Sequence, residues 1–358
     1  MQNLQYISYE DFHTLKSCYR SLDDPLSMKL LDLRFRIDLN FDPELLEELV
    51  SIAQPNWKSC HFSQIKGKIE AAQTSNLPLY IYGGGKFGIK WMEYLQNCGF
   101  PLMAFYDRNY HKIDRVNGIP VLPPPASNEG GCVLISAADH MDAIEQYLLS
   151  VGYHAKQVFK CYPELQNDLE HQYFDFMEYY DPNGAFVDAG CFDCGTSLRF
   201  VNWCEGRYSK IYAFEPDVSN LLRCQEVAQK HQIKNIEFYQ MGLSSHTGEA
   251  AFNSEGTSSS QISQSGDTII QLVTLDEIVG DTLVSFIKMD IEGSELSALQ
   301  GAARTIQRDR PLCAISAYHR PGDIIVLMQY LKSLVPEYKF AVRHYSNVDA
   351  ETVLYAFV

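Results

Sequence analysis

Two acids and a histidine stand where proton chemistry could be done. Asp290 and Glu292 close the run Phe286-Ile287-Lys288-Met289-Asp290-Ile291-Glu292-Gly293, an apolar strand that ends at a glycine and a helix start. Such a strand delivers both carboxylates to one edge of a sheet. There they could act on a substrate proton, hold a metal or bind the cationic part of a ligand. A helix N-terminus also favours acids through its dipole, whatever the function. His319 follows the next strand, in Ser316-Ala317-Tyr318-His319-Arg320, and imidazole is the natural base near neutral pH. No metal-ligand spacing joins these three residues, so the reading takes direct general-base catalysis and assigns no metal.

A second set has the chemistry of nucleoside binding. Val187-Asp188-Ala189-Gly190-Cys191-Phe192-Asp193-Cys194-Gly195-Thr196-Ser197 reads as a strand, a glycine-bearing turn and a helix. Gly190 lets a ligand approach the backbone, and the helix start at Gly195-Thr196 offers unpaired N–H groups. The following strand ends in Phe214-Glu215-Pro216. A carboxylate there can accept from both hydroxyls of a ribose. Cys191-x-x-Cys194 with Cys204 lacks a second paired half, so zinc is not expected.

A third set lies earlier. Gly83-x-Gly85-x-x-Gly88 follows the short β-type run Leu79–Tyr82 and precedes a helix, and Asp107 ends the next strand. The pattern and its context match a dinucleotide fingerprint, although Lys86 and Phe87 crowd the turn.

These residues need alternating strands and helices to position them, and the chain supplies two such series. Residues 1–77 read as a helical extension, with Asp42 placed to cap and Pro43 at the first helical position. Residues 78–160 alternate as a Rossmann-like nucleotide-fold domain. Residues 161–184 carry Tyr173, Phe176 and Tyr180 at i, i+3 and i+7, which predicts a linker helix. Residues 185–358 hold seven strand candidates, the last two too close for a crossover helix and therefore an antiparallel hairpin. The class is α/β, two doubly wound domains in series. The serine-rich stretch near 254–266 is expected to be a mobile loop over the acceptor.

Composition narrows the partners. Among 358 residues, 29 Lys and Arg face 45 Asp and Glu, a formal net charge of −16. Nucleic-acid backbones and anionic membranes both need a basic face, so neither is the expected partner. No apolar run is long enough to cross a bilayer, and the first residues show no export signal. The ten cysteines then read as reduced thiols in a cytoplasmic protein.

Val187–Ser197, Phe214-Glu215-Pro216, Val273-Thr274-Leu275-Asp276-Glu277, the Ile287–Leu296 segment with Leu299-Gln300-Gly301-Ala302, and Ser316-Ala317-Tyr318-His319 together resemble the FkbM-type methyltransferases. The resemblance covers about 185–358. It implies a seven-stranded sheet whose last strand is antiparallel, and methyl transfer from S-adenosylmethionine to a hydroxyl of a saccharide or related metabolite. By position it implies Asp188, Gly190, Gly195, Glu215 and Pro216 at the cofactor, and Asp290, Glu292 and His319 at the substrate. Cys194 stands where that family's second glycine usually falls. Residues 78–160, with Tyr106-Asp107-Arg108-Asn109 and Gly118-Ile119-Pro120-Val121, resemble the nucleotide-fold domain in front of sugar acyltransferases. A nucleotide or nucleotide-sugar at Gly83, Gly85, Gly88 and Asp107 is the corresponding expectation. The alternatives are a nicotinamide-linked sugar-modifying protein using 78–160, and a non-catalytic scaffold in polysaccharide assembly. A small-molecule or glycan acceptor is the expected partner, with a homo-oligomer left open.

Overall fold

The computed structural model describes residues 9–57, 62–162, 165–253, 261–262 and 268–358. Four helices come first: α1 (Tyr9–Arg20), α2 (Pro25–Leu39), α3 (Pro43–Ala53) and α4 (Phe62–Thr74). The Asp42 side chain accepts from Glu44 N at the start of α3, and Pro43 occupies its first turn, where a missing N–H costs nothing. The chain divides into two compact units. One comprises Asp32–Asn167 with Ser346–Asp349, the other Met1–Leu31, Asp168–Tyr345 and Ala350–Val358. The helices expected as a single extension are thus shared between the units. In the C-terminal unit Leu22 bridges to Phe340, and Asp23 N donates to the Phe340 carbonyl at 2.8 Å.

The first unit is built on β1 (Leu79–Tyr82), β2 (Leu102–Tyr106), β3 (Arg115–Val116), β4 (Ile119–Leu122), β5 (Cys132–Ile135) and β6 (Val158–Lys160), in the order β3-β4-β2-β1-β5-β6. All pairs are parallel except β3–β4. Its central strands are apolar throughout, as burial on both faces requires. Helices α5 (Lys86–Asn97) and α6 (Met141–Ser150) supply crossovers, and Trp91 of α5 is fully buried against Phe41, Phe62 and Tyr162.

The second unit carries β7 (Ala185–Ala189), β8 (Ile211–Phe214) and β9 (Ile236–Tyr239). A flanking four-stranded sheet follows, formed by β10 (Gly242–Leu243), β11 (Gly248–Asn253), β12 (Gln261–Ile262) and β13 (Thr268–Val273). The main sheet resumes with β14 (Val284–Met289), β15 (Leu312–Ser316), β16 (Lys339–His344) and β17 (Thr352–Phe357). Its order is β16-β17-β15-β14-β7-β8-β9. Only β17 runs antiparallel to its neighbours. The α/β class and the seven-stranded sheet with an antiparallel last strand are as expected. The order reverses between β7 and β14, and the crevice beyond such a switch point is where ligands bind in open α/β sheets. Helices α7 (Gly195–Trp203), α8 (Val218–Lys230), α9 (Leu275–Val279), α10 (Glu295–Gln300), α11 (Ala303–Asp309) and α12 (Asp323–Leu334) belong to this unit.

The helix expected across 161–184 is not there. The described part of that segment has one 3-10 turn, Met177–Tyr179, between irregular stretches. Tyr173, Phe174 and Phe176 are all buried, and Tyr173 has φ +77°, which a helical residue does not adopt. Phe176 and Tyr179 instead stack on Phe357 of β17, with ring centroids 5.0 and 4.1 Å away. The serine-rich stretch lies outside the described residues except Gln261 and Ile262, which form β12. Among the described residues no helix is long and apolar enough to cross a membrane.

Candidate active site

The turn after β7 is built to sit tightly under the end of β14. Gly190 has φ +77°, and a Cβ there would lie 1.9 Å from the Asp290 carbonyl oxygen. Only glycine fits, because the neighbouring backbone fills the space. Asp188 is fully buried below this turn; it accepts from Ser197 Oγ at 2.7 Å and pairs with Lys288 Nζ at 3.1 Å. Lys288 in turn donates to the Gly190 carbonyl at 2.7 Å. Burial opposes the Lys288 charge, but Asp188 and Asp290 hold its pKa above the ordinary lysine value. Asp188 and Lys288 therefore shape the turn from beneath.

Cys194 adopts φ +64° directly before α7, the left-handed conformation that a glycine takes more easily. Its side chain is buried in a cluster with Cys191 and Cys224, whose sulfurs are 3.5 Å apart. Its thiol pKa is pushed up by the bond to Cys224 and by burial. Packing thus holds the backbone where glycine would otherwise be needed. Gly195 opens α7, and its N–H donates to Asp193 Oδ1 at 2.8 Å. At the end of β8, Glu215 accepts from Phe192 N at 3.1 Å and Asp217 N at 3.0 Å. Burial raises its pKa, the two backbone donors working against the shift. Pro216 lines a cavity of about 150 Å³ with Asp217, Ser219, Gln240 and part of β13.

The acid–histidine edge forms at the ends of β14 and β15. His319 Nε2 lies 3.4 Å from Asp290 Oδ1 and 3.5 Å from Glu292 Oε1, and Nδ1 lies 3.0 Å from Glu295 Oε1. The His319 side chain is only 3% exposed. Glu292 is itself in a left-handed conformation, φ +54°, followed by Gly293 at φ +91°, so the turn aims its carboxylate back at the ring. The three residues singled out for substrate chemistry are thus brought together.

Their electrostatics differ from the expectation. Burial works against a charged imidazole, yet Glu292, Glu295 and Asp290 around it push the His319 pKa up to about 11. In the metal-free site the three carboxylates thus favour the imidazolium over the neutral ring, which opposes a general-base role for His319. Asp290 responds in the opposite sense: burial would raise its pKa, but the His319 and Lys288 charges and the Tyr173 hydroxyl hold it below the ordinary carboxylate range.

Six supporting residues, Gln172, Tyr173, Lys288, Glu295, Tyr318 and Glu351, were given no role at the site from sequence. Tyr173 donates to Asp290 Oδ2 at 2.8 Å and receives Gln172 Nε2 at 3.0 Å. Gln172 also reaches Glu351, which accepts from Tyr318 at 3.3 Å. Burial and the Asp290 charge push the Glu351 pKa up to about 7. Lys288 and Glu295 had a visible signal, a lysine inside an apolar strand and an acid opening a helix. Tyr173 and Glu351 are distant in sequence and left none.

The first unit's glycine turn is organised alike but ends differently. Gly84 N donates to Asp107 Oδ2 at 2.8 Å, and Asn109 N to Oδ1 at 2.8 Å. A Cβ on Gly88 would lie 2.0 Å from the Gly83 carbonyl oxygen, whereas Gly85 has open space. Ser136, after β5, donates toward the Tyr82 and Gly83 carbonyls.

Comparison with known proteins agrees with this architecture. Residues 188–340 match the model of the methyltransferase FkbM domain. A solved structure of methyltransferase FkbM from Methylobacillus flagellatus KT aligns with a TM-score of 0.54 at 19% identity, covering 93% of this chain and 99% of that one. A precorrin-6y C5,15-methyltransferase from Geobacter metallireducens GS-15 aligns with a TM-score of 0.36 at 10% identity, covering 53% of this chain and 88% of that one. A search of curated protein sequences returns no match.

Proposed function

We propose that the C-terminal unit transfers the methyl group of S-adenosylmethionine to a hydroxyl oxygen of a saccharide or related hydroxylated metabolite. The observation that carries the reading is the convergence of Asp290, Glu292 and His319 at the ends of β14 and β15, next to the Gly190 turn and within a matched methyltransferase domain. Bound S-adenosylmethionine supplies a methyl carbon on a sulfonium, already activated toward an oxygen lone pair. The cofactor side fits such a group on chemical grounds. Each oxygen of Glu215 accepts one backbone N–H and Asn220 also bonds the carboxylate, which leaves an acceptor position for a ribose hydroxyl.

The residues at the edge then have two tasks. They align the acceptor, and alignment alone is worth roughly 7–11 kcal/mol in such displacements. They also take a proton. As the C–O bond forms and the C–S bond breaks, the electron pair of the latter returns to sulfur and the hydroxyl proton leaves. An oxygen that is acquiring a third bond is a far stronger acid than a carboxylic acid. Asp290, even with depressed basicity, is therefore an adequate acceptor, as is the Glu292 carboxylate beside it, and in the metal-free site His319 holds them in place by its charge.

Calorimetry with S-adenosylhomocysteine and NAD on the full chain tests the cofactor, and a radiolabelled methyl donor offered with free and nucleotide-linked glycans tests the acceptor. The expected result is binding of S-adenosylhomocysteine alone, and label retained in a glycan as an ether. Failure of S-adenosylhomocysteine to bind would overturn the reading.

A further inference from the structure

We propose that Asp290, Glu292 and His319 form a divalent-cation site, with Glu295 as the residue that orients the histidine. The first observation is a set of unused polar atoms pointing at one place. His319 Nε2 and Asp290 Oδ1 are both buried and lack a hydrogen-bond partner, although they lie only 3.4 Å apart. Glu292 Oε1 completes the set at 3.5 Å from the same nitrogen, and one ligand atom from each residue lies within 4.8 Å of the others.

Those separations suit an ion better than direct contact. Ligand atoms about 2.1 Å from a metal stand about 3.0 Å apart at right angles and about 3.4 Å apart at tetrahedral angles. A hydrogen bond between the same atoms would draw them to about 2.8 Å.

The surroundings are arranged as a ligand shell. Glu295 Oε1 lies 3.0 Å from His319 Nδ1 and also accepts from Ile291 N at 3.0 Å and Gly293 N at 3.3 Å. A carboxylate fixed in this way keeps the proton on Nδ1, so that a cation displacing the Nε2 proton would meet the Nε2 lone pair on the side of the acids, the usual support for a metal-bound imidazole. Tyr173 does the same for Asp290: it occupies Oδ2 and leaves Oδ1 free. Charge points the same way. Asp290, Glu292, Glu295 and Glu351 gather around the ring, while Lys288, the cation beneath them, already serves Asp188. Arg320 lies beside Gly293 on the exposed side. One nitrogen and two carboxylate oxygens make a hard-to-borderline donor set of the kind that Mn²⁺, Mg²⁺ or Zn²⁺ accepts.

The use of this ion rests on the methyl-transfer reading: coordinated to it, the acceptor hydroxyl would be oriented and made more acidic. Its binding does not rest on that reading, so the two can be separated. EDTA-treated full-length protein is titrated into Mn²⁺ while the paramagnetic signal of the free ion is followed, and S-adenosylhomocysteine calorimetry is run on the same samples. One Mn²⁺ per chain is expected, displaced by Zn²⁺. Glu292→Gln and His319→Gln should each weaken it more than tenfold, and Glu295→Gln, which touches no ion, by about 10–100-fold. Unchanged S-adenosylhomocysteine affinity in these variants shows that they remain folded. Absence of stoichiometric Mn²⁺ binding, or equal affinity in Glu292→Gln and His319→Gln, overturns the proposal even if S-adenosylhomocysteine binds. Mn²⁺ binding without S-adenosylhomocysteine binding leaves the site standing and removes its assigned use.

Discussion

The two glycine turns, at 83–88 and 190–195, solve the same backbone problem. Each takes a buried strand into a helix, and each is tied to an acid at the end of the next strand, Asp107 or Glu215. The difference lies one strand over. Beside the first turn the chain offers Ser136 and Ala137, a hydroxyl spent on carbonyl oxygens. Beside the second it offers Asp290 and Glu292, with His319 behind them. A glycine fingerprint therefore reports a strand–turn–helix junction, and the chemistry is decided by what the adjacent strand end presents.

Substitutions can break this comparison, beginning with the strongest. Lys288→Met leaves Asp188 buried without its cation, whereas β1, Leu-Tyr-Ile-Tyr, carries no charged residue. A loss of about 3–5 kcal/mol in urea unfolding is expected, and a neutral outcome would show that the pair does not set the turn. Gly190→Ala forces a methyl group onto the Asp290 carbonyl and should cost about 3 kcal/mol, with Gly88→Ala comparable because of the Gly83 carbonyl. Gly85→Ala, facing open space, should stay within about 0.5 kcal/mol. Glu215→Ala should weaken S-adenosylhomocysteine binding about 100-fold through loss of charge-assisted hydrogen bonds, while Asp107→Ala leaves it unchanged. If the two exchanged behaviours, the cofactor would belong to the first turn.

The smallest effect is in pH. In metal-free protein the folded His319 pKa of about 11 lies above the ordinary histidine value, so its contribution to stability is complete below that ordinary value. It is lost progressively as pH rises toward 11. The stability gap between wild type and His319→Gln should therefore narrow between pH 7 and pH 10, the range that thermal melts in EDTA can follow. A gap that stays constant across that range would mean that the folded imidazole is neutral there.

Much of this was legible in the sequence where a residue's role follows from its place on a strand end. Glu215, Asp290, Glu292 and His319 are of that kind, because strand periodicity fixes which edge they reach. The aromatic spacing at 173–180 misled, since the 3–4 repeat of a helix also arises when an irregular segment buries rings on several sides. The charge state of His319 was hidden for another reason. Its basicity depends on Glu295 and on two carboxylates converging from another strand end, and convergence in space is not written in spacing. Tyr173 and Glu351, at opposite ends of the unit's sequence, were hidden in the same way.

The antiparallel strand has a consequence for how the protein is made. β17 lies between β15 and β16, although the ribosome delivers it after both. Until it emerges, β15 carries an unpaired edge and β16 has no partner in the sheet, so the nascent domain cannot close. Leu22, the residue that bridges to Phe340 of β16, precedes it by more than three hundred residues. Most of the other unit, Asp32–Asn167, is synthesised in between, whereas this sheet stays open until β17 has been made.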